Sequence, residues 1–324
     1  LYGKGNPVAA PARRKWGHGG LTIFIGDIGN YDAVSQFPCS LRIQWIFMSS
    51  DFKASGELRI RQKLGKYRIE RRLGAGGFAI VYQAMDTVQG FRVAIKVPHA
   101  RYTTETVLAE FRKEIRATSA LEHENILPIK DASIIEDRLV VAFPLGEETL
   151  LQRMRRRLSL ETAFDLAEQI LKATAEAHKH HVIHCDIKPE NVILFSGNRI
   201  RLADFGIAKV SQKTVKGGGT GTVGYMAPEQ AMGKPSFRSD VFSIGLILWR
   251  LLSGEWPEWP FEWPAKGYPK LRGRIHPDFI DLMRRAIEVN PRHRYRDAQQ
   301  MLAVFLSLKY RTLRHAKSRR RSAA

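Results

Sequence analysis

The sequence predicts an α+β, two-lobed fold in which a small β-rich lobe precedes a larger, mainly helical one, and two patterns carry that reading. Short runs of β-branched and aromatic residues recur between Tyr67 and Phe143, and after Gly146 apolar residues fall instead at helical spacing. In order, Tyr67–Leu73, Phe78–Met85 and Phe91–Val97 read as strands, a stretch near Glu105–Leu121 as a helix, and Ile126–Ile135 and Arg138–Phe143 as further strands. Helical periods then fill Leu160–His181, Phe237–Leu252, Pro277–Val289 and Ala298–Leu308. The lobes are accordingly placed at 67–145 and 146–308. Residues 1–66 form an N-terminal extension without sustained periodicity, and residues 309–324 a basic tail. Met48 opens a more ordinary polar stretch, so residues 1–47 read either as an authentic extension or as sequence ahead of the natural start.

Composition narrows the class. In 324 residues, 44% hydrophobic content suffices for a sizeable core. Two cysteines, Cys39 and Cys185, exclude a framework of several disulfides and fit a reducing, cytoplasmic setting. The longest apolar run, Val241–Trp249, is about half of what a membrane-crossing helix needs, so no span is expected. A net charge of +20 suggests nucleic acid until it is divided along the chain. Residues 1–66 hold 10 Lys/Arg against 4 Asp/Glu and residues 311–324 hold 6 against none, so most of the excess sits in the two ends. The C-terminal basic run is suited to acidic lipid or nucleic acid, although such runs are usually only solvated.

Three clusters carry chemistry. Leu73-Gly74-Ala75-Gly76-Gly77-Phe78-Ala79-Ile80-Val81 lies between two strand-like runs, where small residues let backbone amides approach a triphosphate; alone it is equally compatible with a plain turn. Val93-Ala94-Ile95-Lys96 places an ammonium at the end of an apolar strand, which is costly without anionic partners. Glu114 on the following helix is the expected partner, with Glu110 one turn away as the fallback. Finally, His184-Cys185-Asp186-Ile187-Lys188-Pro189-Glu190-Asn191 supplies a carboxylate, an ammonium and an amide in one loop, and Asp204-Phe205-Gly206 follows 13 residues later. Phosphoryl transfer needs those parts: Asp186 to orient a hydroxyl, Lys188 to spread positive charge, and Asn191 with Asp204 to hold Mg²⁺.

Over roughly residues 67–308 the chain resembles the eukaryotic-type, or Hanks-type, serine/threonine protein kinases. The resemblance implies ATP and Mg²⁺ as cofactors, with Mn²⁺ as an alternative metal, and protein substrates. It makes Gly74–Val81 the glycine-rich loop, Lys96 and Glu114 an ion pair, Asp186 the catalytic base, and Asn191 and Asp204 the metal ligands. Leu139–Gly146 resembles the hinge that reads adenine, with Val141 as gatekeeper and Ala142, Phe143, Pro144 and Leu145 along the ring, and the resemblance adds Ala94 and Leu194 to the nucleotide-binding residues. Gly221-Thr222-Val223-Gly224-Tyr225-Met226-Ala227-Pro228-Glu229 resembles the end of the activation segment, with Thr222 near Asp186 and Lys188 and Glu229 pairing with Arg294. Asp240 resembles the aspartate that braces the catalytic loop.

The chain departs from the family at Ala79, where a third glycine is usual, and at Cys185, where many members carry the arginine that binds a phosphorylated activation segment. Phosphorylation of Ser211, Thr214 or Thr220 is therefore not expected to be the main switch. Pro144 in the hinge lacks an N–H for adenine. A triple Glu-Trp-Pro series at Glu255–Pro257, Glu258–Pro260 and Glu262–Pro264 is read as packing onto the helical lobe in preference to an exposed docking patch. Arg250 and Glu190 point to opposite substrate charges. His178, His180 and His181 read as structural and not as a metal cluster. An antibiotic-kinase-like small-molecule phosphotransferase is disfavoured by Lys188 and Ala-Pro-Glu, and a pseudokinase scaffold by the presence of Lys96, Asp186, Asn191 and Asp204.

Overall fold

A computed structural model describes residues 57–324 apart from 78, 100–108, 110–111, 113–114, 117, 206–222, 258–262 and 323–324. Six antiparallel strands build the first lobe in the order β1-β2-β3-β4-β6-β5. They are β1 (Lys63–Leu64), β2 (Tyr67–Ala75), β3 (Ala79–Asp86), β4 (Phe91–Pro98), β5 (Asp131–Ile135) and β6 (Arg138–Pro144). The two-residue period sorts their faces: Tyr67 and Ile69 of β2 turn inward while Arg68 turns to solvent. Leu58, Leu64, Tyr67, Ile69, Ile80, Tyr82, Val93, Ile95 and Val97 form the core of this lobe. Leu58 and Leu64 precede the expected boundary at residue 67, because a two-residue strand is too short to show a period.

A three-stranded sheet, β7 (Glu148–Thr149), β8 (Val192–Phe195) and β9 (Arg199–Leu202), opens the second lobe. Its helices are Leu160–Lys179, Phe237–Ser253, Pro277–Ala286 and Ala298–Ser322, with shorter ones at Leu150–Arg153, Pro228–Ala231 and Tyr268–Arg272. Ser159 caps the first by accepting from the Thr162 N–H at 3.0 Å. The Phe237–Ser253 helix starts in a capping box between Ser236 and Ser239 and stops at Gly254, whose φ of 72° suits glycine. That helix is buried on nearly every side, which explains why its apolar run is continuous and not striped. At Gly245 a Cβ would lie 2.8 Å from both Ala286 Cβ and Ile287 Cγ2, so glycine permits the close approach of the Pro277–Ala286 helix. In the same core Phe279 meets Phe164 and Phe305 edge-on, at centroid distances of 4.7 and 5.4 Å, and Phe164 and Phe305 lie tilted 5.8 Å apart.

Two expectations need revision. The run Ile126–Ile135 is strand only over Asp131–Ile135; Ile126 makes a single bridge to Leu202 instead. The last helix does not end at Leu308 but continues to Ser322, so the basic run is helical through that residue. Thr312 and Ala316 are buried beyond the expected end, and Lys309 is anchored by Asp165 at 2.6 Å and Glu168 at 2.8 Å. Neighbouring arginines mask these sparse apolar contacts in the sequence. Among the described residues, no helix is long and apolar enough to cross a membrane.

Candidate active site

Lys96 lies between its strand neighbours, opposite Val81 on β3 and Val141 on β6. Its side chain is 10% exposed, and its ammonium sits 2.7 Å from Asp204 Oδ1. A buried cation in an apolar sheet is sustained by such a partner. Burial pushes the Asp204 carboxyl up, but the Lys96 ammonium outweighs it and, helped by His184 and Lys188, holds the carboxyl below its ordinary range. Asp204 thus presents an ionised, hard oxygen donor. The expected partner Glu114 lies outside the described residues, as do Phe78 and Thr222.

Backbone ties bring the other groups to this point. Ala203 N–H donates to Asn191 C=O at 2.8 Å, so the residue before Asp204 is fastened to the end of the catalytic loop. Asn191 then donates both amide hydrogens to Asp186, to its carbonyl oxygen at 2.8 Å and to Oδ2 at 2.9 Å. Lys188 Nζ reaches the same Oδ2 at 2.9 Å. Among the described residues nothing donates to Asn191 Oδ1 or to Asp186 Oδ1. One amide oxygen and one carboxylate oxygen are therefore left for an incoming group.

The loop is held from below by Asp240, near the start of the Phe237–Ser253 helix. Its Oδ2 accepts from the His184 N–H at 2.8 Å and its Oδ1 from the Cys185 N–H at 2.9 Å. His178 Nδ1 accepts from the Ala298 N–H at 3.0 Å, so its Nε2–H donates to Asp240 Oδ2 at 2.9 Å. The His178 side chain is thereby a structural brace linking three helices. Cys185 is buried with φ of 67°, and its carbonyl accepts from Gln230 Nε2. Glu229 and Arg294 pair as expected, with two parallel contacts of 2.8 and 3.0 Å.

His184 is fully buried. Its Nδ1 accepts from the Asp186 N–H at 3.2 Å, which leaves Nε2–H to donate to Ala203 C=O at 2.9 Å. Burial lowers its pKa from 6.5, outweighing the pull of Asp240, Asp186 and Asp204. As pH falls below 6.5 the unfolded chain takes up this proton before the folded one, so stability present above 6.5 is lost on acidification. The contribution is at most about 1.4 kcal/mol per pH unit. Urea titrations at pH 7.5 and 5.5 should show this loss in the wild type and a smaller one in His184→Gln; equal losses would contradict the assignment.

The nucleotide-facing expectations divide by strand face. Ala94, Val141 and Phe143 share an apolar cluster with Ala79, Leu127, Leu139 and Ala203, between the sheet and the catalytic loop. Ala142, one residue out of phase, faces the core of the first lobe, and its carbonyl accepts from the Lys130 N–H at 2.8 Å. Leu194, expected at the nucleotide, lies in the second-lobe core, whereas Ile193 packs against the inter-lobe cluster. A one-residue shift on a strand exchanges its faces.

In the glycine-rich hairpin, Gly74 pairs with Val81 and Gly76 N–H donates to Ala79 C=O at 2.9 Å. A Cβ at Gly74 would meet nothing within 4 Å, and one at Gly76 only Ala79 O at 3.8 Å. Neither glycine takes the left-handed conformation, so the chain itself does not require them. Among the described residues no group of three or more histidine, cysteine, aspartate or glutamate side chains is placed to hold a metal ion.

The Trp-Pro series partly packs as expected. Trp256 meets Tyr225 edge-on at 4.3 Å, and Trp263 lies 5.8 Å from Trp249 and 5.0 Å from Tyr268. Trp259 lies outside the described residues, as do Ser211, Thr214 and Thr220.

Residues 67–305 match the family described as protein kinase domain. The chain belongs to the protein kinases. Its curated relatives are named serine/threonine-protein kinases. It is 39% identical over 202 residues to the probable serine/threonine-protein kinase PknB of Lactococcus lactis, covering 59% of this kinase and 32% of that protein. It is 33% identical over 255 residues to the serine/threonine-protein kinase PknA of Mycobacterium tuberculosis, covering 72% of this kinase and 58% of the relative. The chain thus spans about a third of the first and somewhat over half of the second. The PknI kinase domain of M. tuberculosis superposes with a TM-score of 0.62 at 22% identity, covering 78% of this kinase and 99% of that chain.

Proposed function

We propose that this chain transfers the γ-phosphoryl group of Mg-ATP to serine or threonine hydroxyls of protein substrates, its own included, and that it does so in the cytoplasm, where ATP is supplied. The observation that carries the reading is the pairing of Lys96 with Asp204 and of Lys188 and Asn191 with Asp186 through contacts of 2.7 to 2.9 Å, the two sets being joined by the Ala203 N–H to Asn191 C=O bond of 2.8 Å. When bound, Mg-ATP supplies the phosphoryl group and the charge that links it to Asp204 and Asn191.

This chain's own residues do the rest. Lys96 offers its remaining ammonium hydrogens to phosphate oxygens, and its burial strengthens the attraction by excluding water. Asp186 accepts a hydrogen bond from the substrate hydroxyl on Oδ1, orienting one oxygen lone pair toward phosphorus and receiving the proton as the new O–P bond forms and the bond to ADP breaks. Lys188, bound to Asp186 Oδ2, places positive charge beside the migrating group. The inter-lobe cluster around Ala94, Val141, Ile193 and Phe143 provides the apolar walls for a purine.

The test is a proteome extract incubated with labelled Mg-ATP and either wild type or Asp204→Asn, with phosphosites mapped by mass spectrometry. Serine and threonine sites are expected from the wild type only. Labelling of small alcohols but not of protein would favour the antibiotic-kinase-like alternative.

A further inference from the structure

The Leu150–Arg153 helix is followed by three consecutive arginines, and these face the end of the Phe237–Ser253 helix across a cavity of about 520 Å³. Its wall carries five arginines, Arg155, Arg156, Arg157, Arg250 and Arg274, and no carboxylate; buried Leu251 and Leu252 add an apolar face. Some of this charge is engaged. Arg156 pairs with Glu148, Arg250 Nη1 donates to the Tyr225 hydroxyl at 2.8 Å, and Arg274 Nη2 donates to Leu252 C=O at 3.2 Å. Among the described residues, Arg155 and Arg157 have no acidic partner. Guanidinium groups gathered around one concavity repel each other, and an anion relieves that repulsion.

The position of Arg250 decides which anion. It belongs to the cavity wall and donates to Tyr225, which packs on Trp256 and lies five residues before Gln230, whose side-chain amide donates to the carbonyl of Cys185, next to Asp186. A polypeptide presenting a hydroxyl to Asp186 therefore has this cavity within reach of its flanking residues. A concavity of this size admits a few side chains, whereas nucleic acid is met along an extended basic stripe. We propose that the arginine cavity docks acidic side chains, aspartate, glutamate or a phosphorylated residue, of the protein substrate at positions away from the acceptor hydroxyl. The inference rests on the protein kinase reading and names the substrate class of that site.

The test uses the full chain as wild type, Arg155→Glu/Arg157→Glu and Arg155→Ala/Arg157→Ala. A strong site from the proteome experiment is made as a peptide, together with a counterpart in which flanking Asp and Glu become Asn and Gln. Wild type should show flanking acidic residues enriched among its sites, and a KM about five-fold lower for the acidic peptide at equal kcat. Charge reversal should abolish that difference while kcat on the neutral peptide stays at the wild-type value in both variants, which shows that the folded enzyme is intact. Phosphorylation without acidic preference, or a preference that survives charge reversal, overturns this inference and leaves the kinase reading standing. Absence of any protein labelling by wild type overturns both. Inhibition by polyuridine RNA or phosphatidylserine vesicles that depends on Arg155 and Arg157, with no effect of the acidic peptide, would also overturn it.

Discussion

Replacing Asp186 by asparagine is expected to lower kcat for a protein substrate by about 10²- to 10⁴-fold while leaving ATP affinity within about two-fold. The argument is local. Asn191 and Lys188 both bind Asp186 at 2.9 Å, so an amide of the same shape keeps much of the loop geometry but removes the basic oxygen. Lys96 and Asp204, which meet the phosphates and metal in this account, are left untouched. Single-turnover phosphorylation together with nucleotide titration separates the two effects. A parallel loss of ATP affinity would show that Asp186 organises the nucleotide site and not the hydroxyl.

The largest stability effect is expected at Arg294. Its guanidinium is 1% exposed, and all five N–H donors are used: two reach Glu229, and the others reach the carbonyls of Glu288 at 2.6 Å, Arg238 at 2.9 Å and Val289 at 3.1 Å. Its charge lies 4.6 Å from the Phe242 ring centroid. Burial lowers the Arg294 pKa, and the Glu229 carboxylate opposes that shift. Arg294→Ala would strand a largely buried carboxylate and three carbonyls, at a cost of about 3–5 kcal/mol. Arg294→Lys should recover only part of this, because an ammonium has three donors and no fork. Urea unfolding of the full chain measures it, with the Glu229→Gln/Arg294→Ala double variant less destabilised than the sum of the singles. A loss below about 1 kcal/mol would mean that the segment ending at Glu229 is held by its apolar packing alone.

These two residues also mark what was legible in the sequence. Asp186, Lys188, Asn191 and Asp204 stand out because phosphoryl transfer needs their chemistries in a short span, and local loop geometry then places them. Glu229 and Arg294 were legible through the family resemblance, which supplied a pairing across 65 residues that no local pattern encodes. The role of His178 was hidden because its partners, Asp240 and Ala298, lie 62 and 120 residues away. The face that Leu194 takes was hidden for a different reason. Both Ile193 and Leu194 are apolar, and only the phase of β8, set by its pairing with β9, decides which faces the cleft. The arginine cavity was equally invisible, since Arg155, Arg250 and Arg274 come from three separate parts of the chain.

The central claim is that Asn191 and Asp204 share one metal bound to a triphosphate that Lys96 contacts. Crystals grown with Mn²⁺ and a non-hydrolysable ATP analogue test it through the anomalous signal of the metal. A peak within ligand distance of Asp204 and Asn191 oxygens, with phosphate oxygens completing its shell and Lys96 on the same phosphates, is the predicted result. A nucleotide bound with its phosphates and metal away from these three side chains would contradict the account.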